Sequence, residues 1–467
     1  MQPTPASSSS SKPEVVVHPI PFPLLAVKQC SLRKVSLFIQ AGRIVNKSAL
    51  ETVNGNIYEI GRILKDAIYG HVYHAVLLHR YQRDSATDGD VINASNDTLY
   101  KRAMPLQQVA MKVISKERIR EYQGKTQEDP IKELSSMQYL GEHPNIMSQI
   151  ECVEDRDNIY SIMPFCDGGE LYDLIETKGA MTEEQAKYYF VQILQGVAYL
   201  QYKGVAHRDL SLENIMFDSS GKCFIIDFGM CIRIPLPSVP SARSPSSSAV
   251  TSAPGTVLNA QEQQINELNR IYEQQLQLRE NLSPPPPPPA CGDDEMMDVD
   301  NGTTISSTNS SQQSTITSPA SSTGLHPLPI YQQNVSSVLS IKIPCQGVCG
   351  KRNYIAPEVL DNSAYFEPFN VDIWALGVIL FIMLTGVPPV DTATSVDQRY
   401  RLICAGFLSN MLEQWGITMS SFALDLIKRI MKPVPGDRLT LHEILHHPWI
   451  TNVSQENQGA VAVSVST

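Results

Sequence analysis

From about residue 234 to residue 338 the chain is made of amino acids that cannot build a core, and whatever folds must fold around that interruption. Ser, Thr and Pro cluster throughout, six prolines run from Pro284 to Pro289, and an acidic patch, DDEMMDVD, occupies 293–300. Such a segment buries too little apolar surface to offset the entropy of ordering it. It is read as an insert, 234–340, and not as a domain. Inside it, 260–281 has helix formers and a partial stripe of Ile265, Leu268, Tyr272 and Leu276, too short for a coiled coil and expected to be a transient helix. Residues 1–56 are expected to be a partly disordered N-terminal extension without assigned function, and 451–467 a disordered tail. The two remaining pieces, 57–233 and 341–450, add up to about 290 residues, the size of one bilobal catalytic unit rather than of the three domains that 467 residues would suggest.

Composition removes several function classes. With 37 basic against 48 acidic residues the net charge is −11 and the pI about 5.4, so no global positive field exists to hold nucleic acid or an anionic membrane, and neither is expected as a partner. Nine cysteines in a chain of this length, behind a start (MQPTPASSSSSKPE) without a signal-peptide pattern, imply reduced thiols and a cytoplasmic location, with the nucleus as the alternative. The longest apolar run, Val371 to Val387, begins beside Asp372 and is cut by Gly377 and Gly386. It is short for a span needing about 20 apolar residues and is read as a buried core helix.

The first foldable piece opens with strand patterns: NIYEIGRIL, HVYHAVLL and VAMKVI read as a small antiparallel sheet, with 79–106 as a long polar loop between two of its strands. After Gly179, Thr182 stands as a helix cap before acidic residues, and Phe190, Ile193, Val197 and Leu200 recur with helical spacing. Further helical patterns cover Val371 to Thr385, Phe422 to Met431 and Thr440 to His446, so the second lobe is expected to be mainly helical.

The chemistry is concentrated in two strings. His207-Arg208-Asp209-Leu210-Ser211-Leu212-Glu213-Asn214 follows the long helix, and Asp227-Phe228-Gly229 follows a strand-like FII. A hydroxyl that attacks phosphorus needs a carboxylate to orient it and take its proton, which suits Asp209. Divalent cations that bridge phosphate oxygens need hard oxygen ligands, which suits Asn214 and Asp227. The eight-residue string together with Asp227-Phe228-Gly229 resembles the eukaryotic protein kinase family, serine/threonine type, and the resemblance extends over 57–233 and 341–450.

That resemblance implies an α+β, bilobal fold with a small antiparallel-sheet N-lobe carrying one helix and a larger, mainly helical C-lobe. It implies ATP and Mg²⁺ as cofactors and protein serine or threonine hydroxyls as acceptors. Val109-Ala110-Met111-Lys112 is similar to the family's third-strand lysine motif, giving Lys112 the α- and β-phosphates, and Glu133 matches the helix glutamate that pairs with it. Catalytic roles then fall to Asp209, Lys112, Glu133, Asn214 and Asp227, with Asn214 and Asp227 as metal ligands. Nucleotide contacts fall to Lys65, Ala67, Gly70, Val72, Ala110, Lys112, Met163, Phe165, Cys166, Glu170, Met216 and Asp227. Ala356-Pro357-Glu358 resembles the end of the activation segment, Asp372 opens the buried helix after it, and Arg438 stands where the family places the partner of Glu358. Glu170 and Glu213 match positions that favour Lys or Arg before the acceptor, and the Pro/Ser-rich insert is a candidate partner site.

Three departures from the pattern bear on activity. In Lys65-Asp66-Ala67-Ile68-Tyr69-Gly70 only the third of the family's phosphate-loop glycines is present. Ser211 stands where a lysine is usual, and Lys351 where a threonine is usual, so one displaced cation is available to compensate for the other. A pseudokinase scaffold with weak or no transfer is the alternative these departures leave open; a small-molecule kinase is disfavoured by the activation segment. Aligned on Cys349, the usual phosphothreonine position is Gly347, so the segment is expected to be ordered without a phosphate, by packing or by an unmodified partner of Arg208. Cys345 and Cys349 lack a second ligand pair, which disfavours zinc.

Overall fold

The structure is a computed structural model and describes residues 14–38, 44–81, 98–126, 128–235 and 340–451. The expected helix at 260–281 and the C-terminal tail lie outside the described residues.

Strand formation in the first lobe follows the two-residue period. In β7 (Gln108–Ser115) Val109 and Met111 turn into the core while Ala110 and Lys112 share the opposite face. Its neighbours are β5 (Gly70–Arg80) and β9 (Asn158–Pro164), which set Val72 opposite Lys112 and Met163 opposite Ala110. One face of three strands therefore carries four residues assigned to nucleotide contacts. The lobe is completed by β2 (Lys28–Phe38), β3 (Ile44–Thr52), β4 (Ile57–Ala67), β6 (Leu99–Arg102) and β8 (Glu151–Glu154), in the order β3-β4-β5-β6-β2-β8-β9-β7.

The sheet begins upstream of residue 57, where the sequence placed the boundary of the domain. The hairpin β2–β3 pairs with β4 through Ala49, Leu50 and Glu51, and with β8 through Lys28 and Gln29. Both strands that would otherwise be edges are covered, and β5–β7 and β2–β3 pairings close the sheet on itself. Closure removes rows of unpaired amides that invite association. A buried carboxylate fixes the join: Glu151 of β8 accepts hydrogen bonds from Asn54 (3.0 Å), Tyr58 (3.0 Å) and Asn56. The polar 79–106 stretch likewise contains a strand, β6, paired with β5 and β2.

Helix α1 (Lys116–Tyr122) leads to α2 (Pro130–Leu140), which starts where Asp129 caps the amides of Ile131 (2.9 Å) and Lys132 (3.1 Å). The second lobe is built on α3 (Leu171–Lys178) and α4 (Glu183–Tyr202). The Thr182 cap forms a reciprocal box with Gln185, and Phe190, Ile193, Val197 and Leu200 are all buried, as their spacing predicts. Helix α5 (Pro357–Leu360) and α6 (Pro368–Thr385) follow the insert, then α7 (Gln398–Cys404), α8 (Leu408–Gln414), α9 (Ser421–Ile430), α10 (Leu441–Leu445) and α11 (Pro448–Thr451). Helix α6 is long and apolar enough to cross a membrane by length and composition, yet 89% of it is buried inside the protein. It is the core helix that the interrupting Asp372 and glycines suggested. The α+β architecture of a strand-rich lobe and a helical lobe is the expected one.

Residues 14–27 form a strap between the lobes that the sequence did not signal. Strand β1 (Glu14–Val16) pairs in parallel with β15 (Ser340–Pro344), the first described element after the insert. Four residues on, Ile20 bridges Arg233 of β14 (Ile232–Arg233), the last strand before it. The strap then reaches α2, where Ala26 and Gln138 exchange hydrogen bonds of 2.9 and 2.8 Å.

Candidate active site

The catalytic loop is pinned from below by a buried carboxylate. Strand β11 (Val205–Ala206) delivers the chain to His207 and Arg208, whose amides both donate to Asp372 of α6 at 2.8 Å. Arg208 takes a φ of +68°, in the left-handed region that residues other than glycine seldom visit, and the paired bonds hold it there. Burial pushes the Asp372 carboxyl above the usual carboxylate range despite the pull of His207 and the two amides. Asp209, next along, has donors on both oxygens. The Lys351 amide reaches Oδ1 at 3.1 Å, and Asn214 Nδ2 reaches Oδ2 at 2.9 Å while also donating to the Asp209 carbonyl at 2.7 Å.

Because Asn214 spends its amide nitrogen on Asp209, its amide oxygen is left to coordinate a cation. The Ile226 amide bonds the Asn214 carbonyl at 3.0 Å, so β12 (Ile215–Phe217) and β13 (Cys223–Ile225) leave Asn214 and Asp227 side by side at their ends. Asp227 also sits at positive φ, +63°, with Oδ1 accepting from the Gly229 amide at 3.2 Å. One amide oxygen and one carboxylate are hard donors suited to Mg²⁺, which keeps waters and takes further ligands from phosphates. Among the described residues no cluster of three His, Cys, Asp or Glu forms a self-sufficient metal cage.

Lys112 Nζ meets both oxygens of Glu133 at 2.7 and 2.6 Å, linking β7 to α2. Burial disfavours the ammonium, but the charge and hydrogen bond of Glu133, with the charges of Asp227 and Glu128, together outweigh it, so Lys112 titrates above its usual range. Burial and Asp227 act on Glu133 in the opposite sense for an acid, raising it. Two contacts this short are those of an ammonium with an ionised carboxylate. Glu128, which the sequence reading did not single out, is a further acid here. Burial first and Asp227 second raise its carboxyl, and its carbonyl accepts from Tyr69 of the phosphate loop at 2.8 Å.

The expected nucleotide residues divide into two groups. Val72, Ala110, Met163 and Met216 are half-buried, and strand register sets Glu170 of β10 (Gly169–Glu170) beside Met216 of β12. Phe165 packs edge-on against His74 at 5.1 Å. Cys166, in contrast, is buried in the core of the second lobe, where desolvation pushes its thiol to about 12, so only its backbone can face a ligand. In the phosphate loop Ala67 pairs with Gly70 at the β4–β5 turn, and Lys65 is joined to Glu170 at 2.5 Å.

The activation segment meets the catalytic loop through Arg208. Arg208 donates to the Gly347 carbonyl at 3.4 Å and lies 5.9 Å over the Phe366 ring. Cys349 Sγ and Cys345 Sγ make separate contacts, to the Arg208 carbonyl and to Asn362. Below it, Arg438 forms a buried two-pronged pair with Glu358 at 2.8 and 2.7 Å.

A family model described as the protein kinase domain matches residues 98–266 and 333–450, more than half of the chain. The chain is 25% identical over 341 residues to CBL-interacting protein kinase 31 of Oryza sativa subsp. japonica, covering 73% of this chain and 51% of that one. It is 24% identical over 401 residues to CBL-interacting serine/threonine-protein kinase 9 of Arabidopsis thaliana, covering 86% and 59%. Against sperm motility kinase 2A of Mus musculus it is 26% identical over 346 residues, covering 74% and 45%. The chain thus spans about half the length of these relatives.

Proposed function

The chain belongs to the protein kinase family, and on that premise we propose that it transfers the γ-phosphate of ATP, with Mg²⁺, to serine or threonine hydroxyls of protein substrates. The observation that carries the reading is the assembly, from four separate stretches, of Lys112 paired with Glu133, Asp209 held on both oxygens, and Asn214 joined through Ile226 to Asp227.

Asp209 receives the acceptor hydroxyl and takes its proton as the oxygen attacks phosphorus. Lys112 holds the α- and β-phosphates, and Glu133 keeps its ammonium from swinging away. Asn214 and Asp227 would hold Mg²⁺ through their oxygens, and the bound cation would supply charge neutralisation at the phosphates. Val72, Ala110 and Met216 flank the adenine, and Glu170 serves the ribose once Lys65 yields it. By resemblance, Glu170 and Glu213 stand at positions that favour substrates with Lys or Arg before the acceptor.

The test is labelled transfer from γ-labelled ATP and Mg²⁺ to a serine/threonine peptide library. Asp209→Asn is expected to lower kcat by about a hundredfold or more, the scale of a lost general base, and EDTA to abolish labelling. Binding of ATP with no transfer above the Asp209→Asn background would favour the scaffold reading that Ser211 and the two missing glycines suggest.

A further inference from the structure

At Gly350 the activation segment turns onto the catalytic loop. Its φ is +97°, and a Cβ there would lie 3.0 Å from the Arg208 carbonyl oxygen and 3.5 Å from Asp209 Oδ1, so only glycine admits this approach without strain. The next residue uses the proximity twice. The Lys351 amide donates to Asp209 Oδ1 at 3.1 Å, and its side chain doubles back so that Nζ lies 3.5 Å from Asp209 Oδ2 and donates to Ser211 Oγ at 2.9 Å. Ser211 is fully buried and serves as a fixed anchor, while the Lys351 side chain keeps 37% of its surface open to the cleft.

The other lysines assigned to the cleft are committed elsewhere. Lys112 is held by both Glu133 oxygens, and Lys65 by Glu170. Lys351 is the one placed beside the carboxylate that takes the hydroxyl's proton, next to where the transferring phosphoryl group would carry its negative charge. Fixed positive charge at that point, with little reorganisation needed, is what stabilises such a transition state.

We propose that Lys351 is a catalytic residue whose ammonium, delivered by the docked activation segment and held by Ser211, neutralises the phosphoryl group in flight. The inference rests on the phosphotransfer reading above. In the step, the bond from the γ-phosphorus to the β-γ bridging oxygen breaks as the acceptor oxygen bonds to phosphorus. The hydroxyl proton passes to Asp209, ADP departs, and Lys351 keeps its proton throughout. Since the charge arrives on a segment 140 residues from its anchor, segment docking and transition-state stabilisation become one event.

A tether would explain the same contacts, so the experiment must separate charge from attachment. Lys351→Met and an exchange variant, Ser211→Lys with Lys351→Ser, are compared with the full wild-type chain for kcat, KM for ATP and melting temperature. Lys351→Met is expected to lower kcat about a hundredfold, with KM for ATP within about threefold. The exchange variant, which returns the cation from the other side, is expected to recover at least a tenfold part of that loss. If methionine destabilises the fold, Lys351→Gln, which keeps reach but not charge, carries the same expectation. The proposal is overturned if a folded Lys351→Met or Lys351→Gln enzyme keeps more than about a third of wild-type kcat, or if a folded exchange variant is no faster than Lys351→Met. Were the wild type itself no faster than Asp209→Asn, the phosphotransfer reading would fall, and this inference with it.

Discussion

Gly70 and Lys351 mark the two limits of what single residues reveal. Lys112, Asp209, Asn214 and Asp227 are legible because the chemistry needs those side-chain types at nearly fixed separations. Lys351 stands out in the sequence only as a displaced cation; its approach to Ser211 and Asp209, across 140 and 142 residues, is encoded by no local pattern. Gly70 was read as a phosphate contact, yet its surroundings give it a structural task as well. A Cβ there would stand 1.9 Å from the Val113 carbonyl oxygen, a backbone atom in the adjacent strand that cannot step aside. The first two phosphate-loop glycines could be replaced by Lys65 and Ala67, but the third is demanded by strand packing. Gly70→Ala is therefore expected to destabilise the chain by about 2–4 kcal/mol through overpacking, measured by urea denaturation. A loss below roughly 0.5 kcal/mol would show that β5 and β7 separate easily at this point.

Helix α4 is legible in the sequence and strand β2 is not, for a physical reason. Helix α4 has a cap and a stripe facing one core, so its sequence states its position. Strand β2 touches β3 along its length, β8 at its start and β6 at its end, and only Val35 and Leu37 are buried, so no single period runs through it. Strand β1 packs against an element more than 300 residues away, and the rest of the strap against Arg233 and α2, also distant in sequence. That missed strap alters the expectation for the activation segment. Strand β15 is held between β1 and β16 (Tyr365–Phe366), and Lys342 pairs with Glu14 at 2.7 Å. Arg208 donates to the Gly347 carbonyl, and Ser340 is buried with its hydroxyl on Glu367 at 2.7 Å. Order here comes from packing and strand pairing, so phosphatase-treated enzyme is expected to retain at least half of its transfer rate. A drop of tenfold or more, about 1.4 kcal/mol in transition-state stabilisation, would show that a phosphate elsewhere does the ordering.

At the scale of the whole chain the question is what the long insert costs the fold. Its flanks are stitched to one short stretch: Val16 pairs with Lys342 after the insert, and Ile20 bridges Arg233 before it. Four residues of extended strap at about 3.3 Å each place the two flanks roughly 13 Å apart. Joining residue 236 directly to residue 336 would leave about nine residues between Arg233 and Lys342, and a flexible chain of that length has an r.m.s. span of roughly 17 Å. The shortened connection therefore reaches without strain. Reducing the loop from about 108 to about nine residues is between three and four halvings, which lowers the closure cost by about 2 kcal/mol at about 0.6 kcal/mol each. Both flanks keep their own anchors in the deletion, since β14 still pairs with β11 and β15 with β1 and β16. The deletion variant is expected to melt at or a few degrees above the full chain and to keep its peptide transfer rate within about threefold. An insoluble product, or a melting temperature lower by more than about 3 °C, would mean that residues of the insert pack against the catalytic unit and that the chain does not fold around an interruption.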